Sequence, residues 1–138
     1  MSKLDLKFGE DGEKETYEYI NDYLKINAKP SSNRWAKFDM EEKDNLIEIK
    51  TRRANINSFP NFWFNASKLS YNKNKYNNNK HIWVCYNLTD GIYIFDFTKH
   101  QQNLVLNTNL TTRTDRGKAE TYDIYECPTN LFTLIHKK

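Results

Sequence analysis

A short stretch of sequence decides the fold, and it reads Asn45-Leu46-Ile47-Glu48-Ile49-Lys50-Thr51. Two isoleucines in this stretch alternate with a leucine, a glutamate and a lysine. Alternation with a period of two residues is typical of a β-strand whose two faces meet different surroundings. We therefore predict a strand over residues 45–51, with Ile47 and Ile49 on one face and with Leu46, Glu48 and Lys50 on the other.

The segment before this strand predicts its hairpin partner. Residues 34–40 contain aromatic and apolar side chains, and the polar turn 41–44 joins them to the strand. We expect Phe38 and Met40 to share one face and Asp39 to lie on the opposite face. Matching the apolar faces of the two strands fixes the parity of their pairing. This pairing places Asp39 opposite or near Glu48.

An amphipathic helix is predicted upstream, over about residues 9–27, and it ends before Lys29-Pro30. At 100° per residue, Glu13 falls about 20° from Ile20, in the middle of the apolar face. A carboxylate in this position loses solvation unless a partner compensates for it. A first-turn acid that the helix dipole stabilises is the alternative interpretation. Glu10, at the edge of the same face, is the fallback helix acid.

The remaining chain predicts one sheet flanked by helices, in a single α/β (α+β) domain over residues 1–138. An Asp-Gly dipeptide at positions 90–91 stands between two β-rich runs and predicts a hairpin. The elements expected after residue 60 are a helix over 61–71, a basic loop or frayed helix end over 72–80, strands over 81–86 and 92–97, irregular chain over 98–120 and a last strand over 122–127.

Composition narrows the class of protein without naming a function. The 138 residues contain no apolar run near the roughly 18 residues of a membrane helix, and the N-terminal residues lack the apolar core of a signal peptide. Two cysteines do not make a disulfide framework. We expect an intracellular protein, cytoplasmic or nuclear, with a viral or phage source as one option. A net charge of +3 permits a nucleic-acid partner without requiring one.

Three carboxylates, on Glu13, Asp39 and Glu48, are expected to point at one small volume. Such a group of like charges destabilises the fold unless a cation compensates for it. Oxygen ligands favour Mg²⁺ or Mn²⁺ over zinc. Lys50, on the face of Glu48, is placed to orient a water or to stabilise charge that develops on a phosphoryl group. A solvated hairpin face, on which Lys50 offsets two acids, is the alternative.

These residues resemble the PD-(D/E)XK phosphodiesterase superfamily, which includes restriction enzymes and Holliday junction resolvases. Glu13 matches the helix acid of that pattern, Asp39 the acid at a strand end, and Glu48-Ile49-Lys50 the (D/E)-x-K tripeptide. The resemblance implies a restriction-endonuclease-like αβββαβ core over about residues 9–97, with a first strand near 25–28. Residues 98–138 would form an extra C-terminal β-rich segment.

The resemblance also implies a site and an activity. Asp39 and Glu48 would hold Mg²⁺ or Mn²⁺ together with the main-chain carbonyl of Ile49 and, directly or through water, Glu13. Lys50 would be the catalytic cation. The implied protein is a homodimeric endonuclease, similar to small junction resolvases. It would hydrolyse DNA rather than RNA and contact no membrane. Branched DNA and viral or phage replication or recombination DNA are candidate substrates.

Two other classes of function stay open. The first is a catalytically silent nuclease-like fold that acts as a nucleic-acid-binding or protein-inhibitor module, and the second is an interaction protein with an unrelated α/β fold. The tripeptide alone discriminates poorly between these classes, because [DE]-x-K occurs three times in the chain. Only Glu48-Ile49-Lys50 lies in an alternating apolar strand downstream of a helix with a misplaced glutamate.

Basic and aromatic side chains are the remaining candidates for contact with nucleic acid. The aromatic run Phe62-Trp63-Phe64 is a candidate for base stacking, with a place in the core or in a dimer interface as the more common alternative. A solubilising surface is the alternative role for the basic residues. Those that we expect to hold phosphates are Arg52, Arg53, Lys68, Lys73, Lys75, Arg113 and Arg116.

Overall fold

The computed structural model describes the chain over residues 3–31, 36–111 and 121–138, with side chains placed over 14–31, 36–108 and 123–138. Three α-helices and nine strands make up the described part. They are α1 (Lys3–Leu24), β1 (Lys29–Pro30), β2 (Met40–Glu41), β3 (Asn45–Thr51), β4 (Asn61–Asn65), α2 (Leu69–Tyr76), β5 (His81–Asn87), β6 (Gly91–Asp96), α3 (Phe97–His100), β7 (Val105–Thr111), β8 (Thr121–Pro128) and β9 (Thr133–Lys137). No described helix is long and apolar enough to span a membrane.

A mixed six-stranded sheet forms the centre of the fold, in the order β1-β2-β3-β5-β6-β9. Strands β3 and β5 are parallel, and the other neighbours in this sheet are antiparallel. A parallel pair requires a crossover connection, and here it contains β4 and α2. A second, antiparallel sheet has the order β4-β8-β7. The structure therefore confirms the general α/β (α+β) class, but the expectation of one sheet is wrong, because β4, β7 and β8 pair in a sheet of their own.

Two apolar layers lie on opposite faces of the central sheet because β3 alternates as the sequence predicts. Ile47 and Ile49 pack with Ile20 of α1 on one face. Leu46 packs on the other face with Phe62 and Phe64 of the second sheet. Leu69 and Tyr71 of α2 pack against this second layer. Glu48 and Lys50 share the face of Leu46. The tripeptide thus lies beneath the second sheet and α2, on the face opposite to α1.

The expectation that Phe38 and Met40 share a face is wrong. Phe38 packs in the layer of Leu46, whereas Met40 packs in the layer of Ile47. Met40 is the Cα partner of Ile47, and the Asp39 N–H donates to the Ile47 carbonyl at 3.0 Å. Two successive residues therefore face one residue, as in a β-bulge, and this reverses the alternation of side chains. The segment has only two residues of regular strand, Met40–Glu41.

The helix expected over residues 61–71 is also wrong in its first half. Phe62 and Phe64 are buried and Trp63 between them is exposed, which is the burial pattern of strand β4. The helical spacing of Phe62, Ala66 and Leu69 is coincidental, because pairing with β8 supplies the main-chain hydrogen bonds of this segment. The helical part begins at Ala66 with a 3₁₀ turn and continues as α2.

Other boundaries also differ from the expectation. Helix α1 covers 3–24 rather than 9–27, and the first strand is at 29–30 rather than 25–28. Most of the tract expected as a loop or frayed helix end is helix α2. Strand β7 lies within the segment expected to be irregular. The C-terminal segment is β-rich as expected, and its last strand pairs with β6 at the margin of the central sheet.

Candidate active site

Asp39 is anchored directly before the point where β2 begins. Its carboxylate Oδ2 accepts a hydrogen bond from the Ile49 N–H at 2.7 Å, and its main-chain carbonyl accepts one from the Ser31 N–H at 2.8 Å. The Asp39 carboxylate thus satisfies a main-chain N–H of β3 that a neighbouring strand would otherwise pair with. In an extended strand the N–H and C=O of one residue point to the same side, so the Ile49 carbonyl is directed to the side of Asp39. The structure therefore brings Asp39 next to the tripeptide.

Glu48 is a buried acid with only 5% of its surface exposed. Its Oε1 lies 3.5 Å from the Lys50 Nζ, and its Oε2 lies 2.6 Å from the Lys68 Nζ. A carboxylate removed from water requires such partners, because an unpaired buried charge is strongly unfavourable. The solvated hairpin face considered from the sequence is therefore wrong for Glu48. The prediction that Glu48 and Lys50 share a face is confirmed.

Lys68 lies inside this site. Its Nζ also donates to the Lys37 carbonyl at 2.6 Å, so the side chain links the turn after β4 to the segment before β2. The 3₁₀ turn that carries Lys68 is capped by Asn65, whose side chain accepts a hydrogen bond from the Ser67 N–H at 3.0 Å. The sequence marked Lys68 only as a residue for phosphates. No local pattern could pair it with Glu48, because the two residues lie on separate elements.

A cleft of about 830 Å³ opens beside Glu48, between the end of β3 and strand β4. Its cationic lining residues are Lys50, Arg52, Arg53 and Lys68. Three of them, Arg52, Arg53 and Lys68, were predicted to hold phosphates. The acids in the lining are Glu48 and Glu126. Because Glu48 is already paired with two lysines, the cleft has an excess of positive charge, and it is suited to an anionic ligand.

Tyr86 is a cleft residue that the sequence did not single out. It is the neighbour of Lys50 across the parallel pair β3–β5, and its hydroxyl donates to the Trp63 carbonyl at 3.2 Å. Burial raises the pKa of Tyr86 well above its usual range. Tyr86 is therefore a neutral hydrogen-bond donor that ties β5 to β4 across the floor of the cleft. The alternation of side chains along β5 is the sequence signal that could have shown on which face of the sheet Tyr86 lies.

Two of the predicted lysines lie away from the cleft. Lys73 and Lys75 are exposed on α2. The Lys75 ammonium lies 5.4 Å from the ring centres of Tyr71 and Tyr76, and its Nζ is 3.3 Å from the Tyr71 hydroxyl. Lys73 and Lys75 line a separate hollow at the far end of the helix. The structure thus brings Arg52, Arg53 and Lys68 to the cleft but leaves these two lysines apart.

The helix acid falls outside the side chains that the structure describes. Glu13 lies within α1, as does its fallback Glu10, but neither side chain is placed. Arg113 and Arg116 lie outside the described residues altogether. Among the side chains that are placed, no group of three or more His, Cys, Asp and Glu residues could hold a metal ion. Asp39, Glu48 and the Ile49 carbonyl are thus the predicted ligands whose positions are described.

The site combines a buried glutamate, two lysines in contact with it and an aspartate fixed on the adjacent residue. Comparisons of the chain with protein-family models, with curated proteins and with solved structures find no match. Function is therefore inferred from the chemistry of these side chains.

Proposed function

We propose that the chain is a metal-dependent nuclease that hydrolyses phosphodiester bonds of DNA. The observation that supports it best is the buried Glu48, paired with Lys50 and Lys68 at the wall of a cationic cleft, with Asp39 fixed beside Ile49. A site that keeps a charged acid buried against lysines is costly to fold, which favours a functional over a purely structural role.

The order of elements gives further support to the proposed family. Helix α1 is followed by β1, β2 and β3, then by α2, and then by β5 beside β3. This order is similar to the αβββαβ order that the resemblance to the PD-(D/E)XK superfamily implies, apart from β4, which is inserted and belongs to the second sheet. Asp39 comes directly before β2, whereas the family pattern has an acid that ends a core strand, and the tripeptide lies within the next strand, β3, as in the pattern.

The donor set fits a hard divalent cation. Asp39 and Glu48 offer carboxylate oxygens, and the Ile49 carbonyl is directed to the side of Asp39. Oxygen donors of this kind suit Mg²⁺ or Mn²⁺. The Lys68 ammonium lies against Glu48 Oε2, so a metal ion at this carboxylate would compete with Lys68. When bound, such an ion supplies a Lewis acid toward a phosphate oxygen.

The side chains of the cleft, and Asp39 next to the tripeptide, have separate tasks in the proposed reaction. Lys50 holds an ammonium 3.5 Å from Glu48, where it can orient an attacking water or stabilise the negative charge of the transition state. Arg52 and Arg53 follow Lys50 along the same cleft and bind the flanking phosphates. Asp39 is held in place by its hydrogen bond to Ile49, so its position does not depend on the substrate.

Cleavage of labelled branched, single-stranded and double-stranded DNA with Mg²⁺ or Mn²⁺ tests the proposal. Wild type should cut, and Lys50→Ala and Asp39→Asn should each lower the rate by about 10²-fold or more. Lys99→Ala and Asp22→Asn make the same changes at exposed positions elsewhere and should cut at the wild-type rate. The proposal fails if wild type cuts none of these substrates, or if Lys50→Ala and Asp39→Asn cut as wild type does.

One observation favours a second candidate, a nuclease-like module that binds nucleic acid without cutting it. Both oxygens of Glu48 already have a lysine as partner, which neutralises the carboxylate without a metal ion. Binding of DNA by a wild-type chain that cuts no substrate with either metal would support this candidate. The homodimer that the family resemblance implies is tested separately, by measuring the molar mass of the protein with light scattering as it elutes from a size-exclusion column.

A further inference from the structure

Two large aromatic side chains are exposed at the mouth of the cleft. Trp63 is 52% exposed and Phe59 is 56% exposed, and both line the cleft. Large apolar side chains of this kind are usually buried, and an exposed pair beside a cationic site marks a surface for a ligand. The two neighbours of Trp63 in β4, Phe62 and Phe64, are buried, so burial in the core accounts for them but not for Trp63.

The fold fixes the main chain that carries Trp63 and packs the ring of Phe59 against the core. In the described part of the chain β4 pairs with β8 alone, and the Trp63 carbonyl accepts the Tyr86 hydroxyl at 3.2 Å along the other edge. Phe59 packs edge-on against Phe62 with ring centres 6.5 Å apart, and Phe62 stacks on Tyr86 at 4.1 Å. Phe59 thus packs on an aromatic cluster and the main chain that carries Trp63 is held on both edges, so little main-chain entropy is lost when a planar ligand stacks on these side chains.

The charges around these side chains specify the ligand further. Lys50, Arg52 and Arg53 line the same cleft, and Glu126, the neighbour of Trp63 across the β4–β8 pair, is the acid beside it. A ligand that matches this surface carries flat apolar rings joined by negative groups. A nucleic-acid strand with unpaired bases has this structure, because each base offers a free face and each linkage a phosphate.

We infer that the cleft binds single-stranded DNA, with unpaired bases stacked on Trp63 and Phe59 and with phosphates held by Arg52 and Arg53. The inference rests on the proposed function, whose substrate it narrows to DNA with an unpaired segment. A fully paired duplex fits less well, because its bases are stacked on one another and offer no free face to an aromatic side chain.

Binding without hydrolysis tests this inference. Fluorescence anisotropy of a labelled oligothymidylate of about 12 nucleotides, and of a blunt duplex of equal length, is measured with the full chain in EDTA. The strand should bind roughly tenfold more tightly than the duplex. Trp63→Ala should weaken strand binding roughly tenfold or more and leave duplex binding unchanged. Tyr23→Ala removes an exposed aromatic side chain on α1 and should bind both as wild type does.

A strand with abasic positions separates stacking from charge. It should bind wild type more weakly than the intact strand, and Trp63→Ala should then have little further effect, since the partner of Trp63 is already absent. The inference is overturned if Trp63→Ala binds the intact strand as wild type does, or if the duplex binds as tightly as the strand.

The two proposals fail in different ways. Trp63-dependent strand binding by a chain that cuts no DNA keeps this inference and refutes the nuclease. Cleavage of DNA by a chain whose strand binding ignores Trp63→Ala keeps the nuclease and refutes this inference.

Discussion

Replacing Lys68 by methionine removes one of the two ammonium groups that contact the buried carboxylate of Glu48. The Lys68 Nζ lies 2.6 Å from Glu48 Oε2, and the Lys50 Nζ lies 3.5 Å from Oε1. Methionine retains a flexible apolar side chain of similar length, so the change removes charge rather than packing. Lys68→Met therefore measures how much the fold depends on a cation at this position.

The size of the effect follows from burial. Loss of one partner from a fully buried ion pair costs about 3–5 kcal/mol when the other charge is left alone. The Lys68 side chain is 23% exposed and Lys50 stays beside Glu48, so both solvent and the second lysine reduce the cost. We expect the free energy of unfolding to fall by about 2 kcal/mol. In a domain of this size that corresponds to a melting temperature roughly 6–8 °C lower.

Divalent metal ions should reverse part of this loss. In Lys68→Met the position beside Glu48 Oε2 is open, so Mg²⁺ or Mn²⁺ no longer competes with an ammonium group. An ion present at tenfold its dissociation constant stabilises the folded state by about 1.4 kcal/mol. Added metal should therefore raise the melting temperature of Lys68→Met by roughly 5 °C, and by less in wild type.

Thermal unfolding followed by circular dichroism, with and without Mg²⁺ or Mn²⁺, measures both effects. Lys75→Met makes the same change on the exposed face of α2 and should melt close to wild type, with the same small response to metal as wild type. Glu48→Gln combined with Lys68→Met leaves no buried charge and should recover stability while losing the metal response. Wild-type melting of Lys68→Met would refute the reasoning about the ion pair, and an absent metal response would refute Glu48 as a ligand.

Three further predictions concern the fold around the site. Burial raises the pKa of Tyr86 above the value near 10 of an unfolded tyrosine, so the neutral form stabilises the fold below pH 10 and this contribution is lost as the pH rises further. Above pH 10 the free energy of unfolding of Tyr86→Phe, measured with urea, should therefore fall with pH by about 1.4 kcal/mol per pH unit less than that of wild type. If the variant and wild type lose stability equally with pH, the raised pKa of Tyr86 is contradicted. Burial also raises the pKa of both free thiols, that of Cys127 to about 12. The native protein at pH 8 should react slowly with a disulfide reagent and quickly in denaturant, so rapid labelling of native Cys85 or Cys127 would show that the core opens. Finally, a Cβ on residue 91 would lie 2.7 Å from the Leu134 Cδ1 and 2.8 Å from the His136 carbonyl oxygen, so Gly91→Ala should cost about 1–3 kcal/mol in unfolding free energy. A Gly91→Ala variant as stable as wild type would mean that β9 can move away from β6.

The parts of the fold that the sequence predicted well are those with a local pattern. Strand β3 has the predicted bounds, and Ile47 and Glu48 lie on the predicted faces. The hairpin around Asp90-Gly91 forms as expected, because the turn residues and the alternation of the flanking strands are both local signals. The proximity of Asp39 to the tripeptide was predicted as well, although the route to it differs.

The errors occur where distant contacts decide the conformation. Phe62 and Phe64 have a spacing compatible with a helix, and pairing with β8 makes them a strand. Phe38 and Met40 alternate in the sequence, but the bulge opposite Ile47 turns them to opposite faces. In both cases pairing with another strand, distant β8 in the first and neighbouring β3 in the second, outweighs a local preference that is small for each residue.

The sequence by itself determined the general α/β (α+β) class and a strand that carries Glu48 and Lys50 on one face, because the period of side-chain direction depends only on neighbouring residues. The tertiary structure decided that Glu48 is buried, that Lys68 is its partner and that Trp63 is exposed at a cationic cleft. Burial and ion pairing join residues that are separate in the sequence. Only the packing of the second sheet against the central one brings them together.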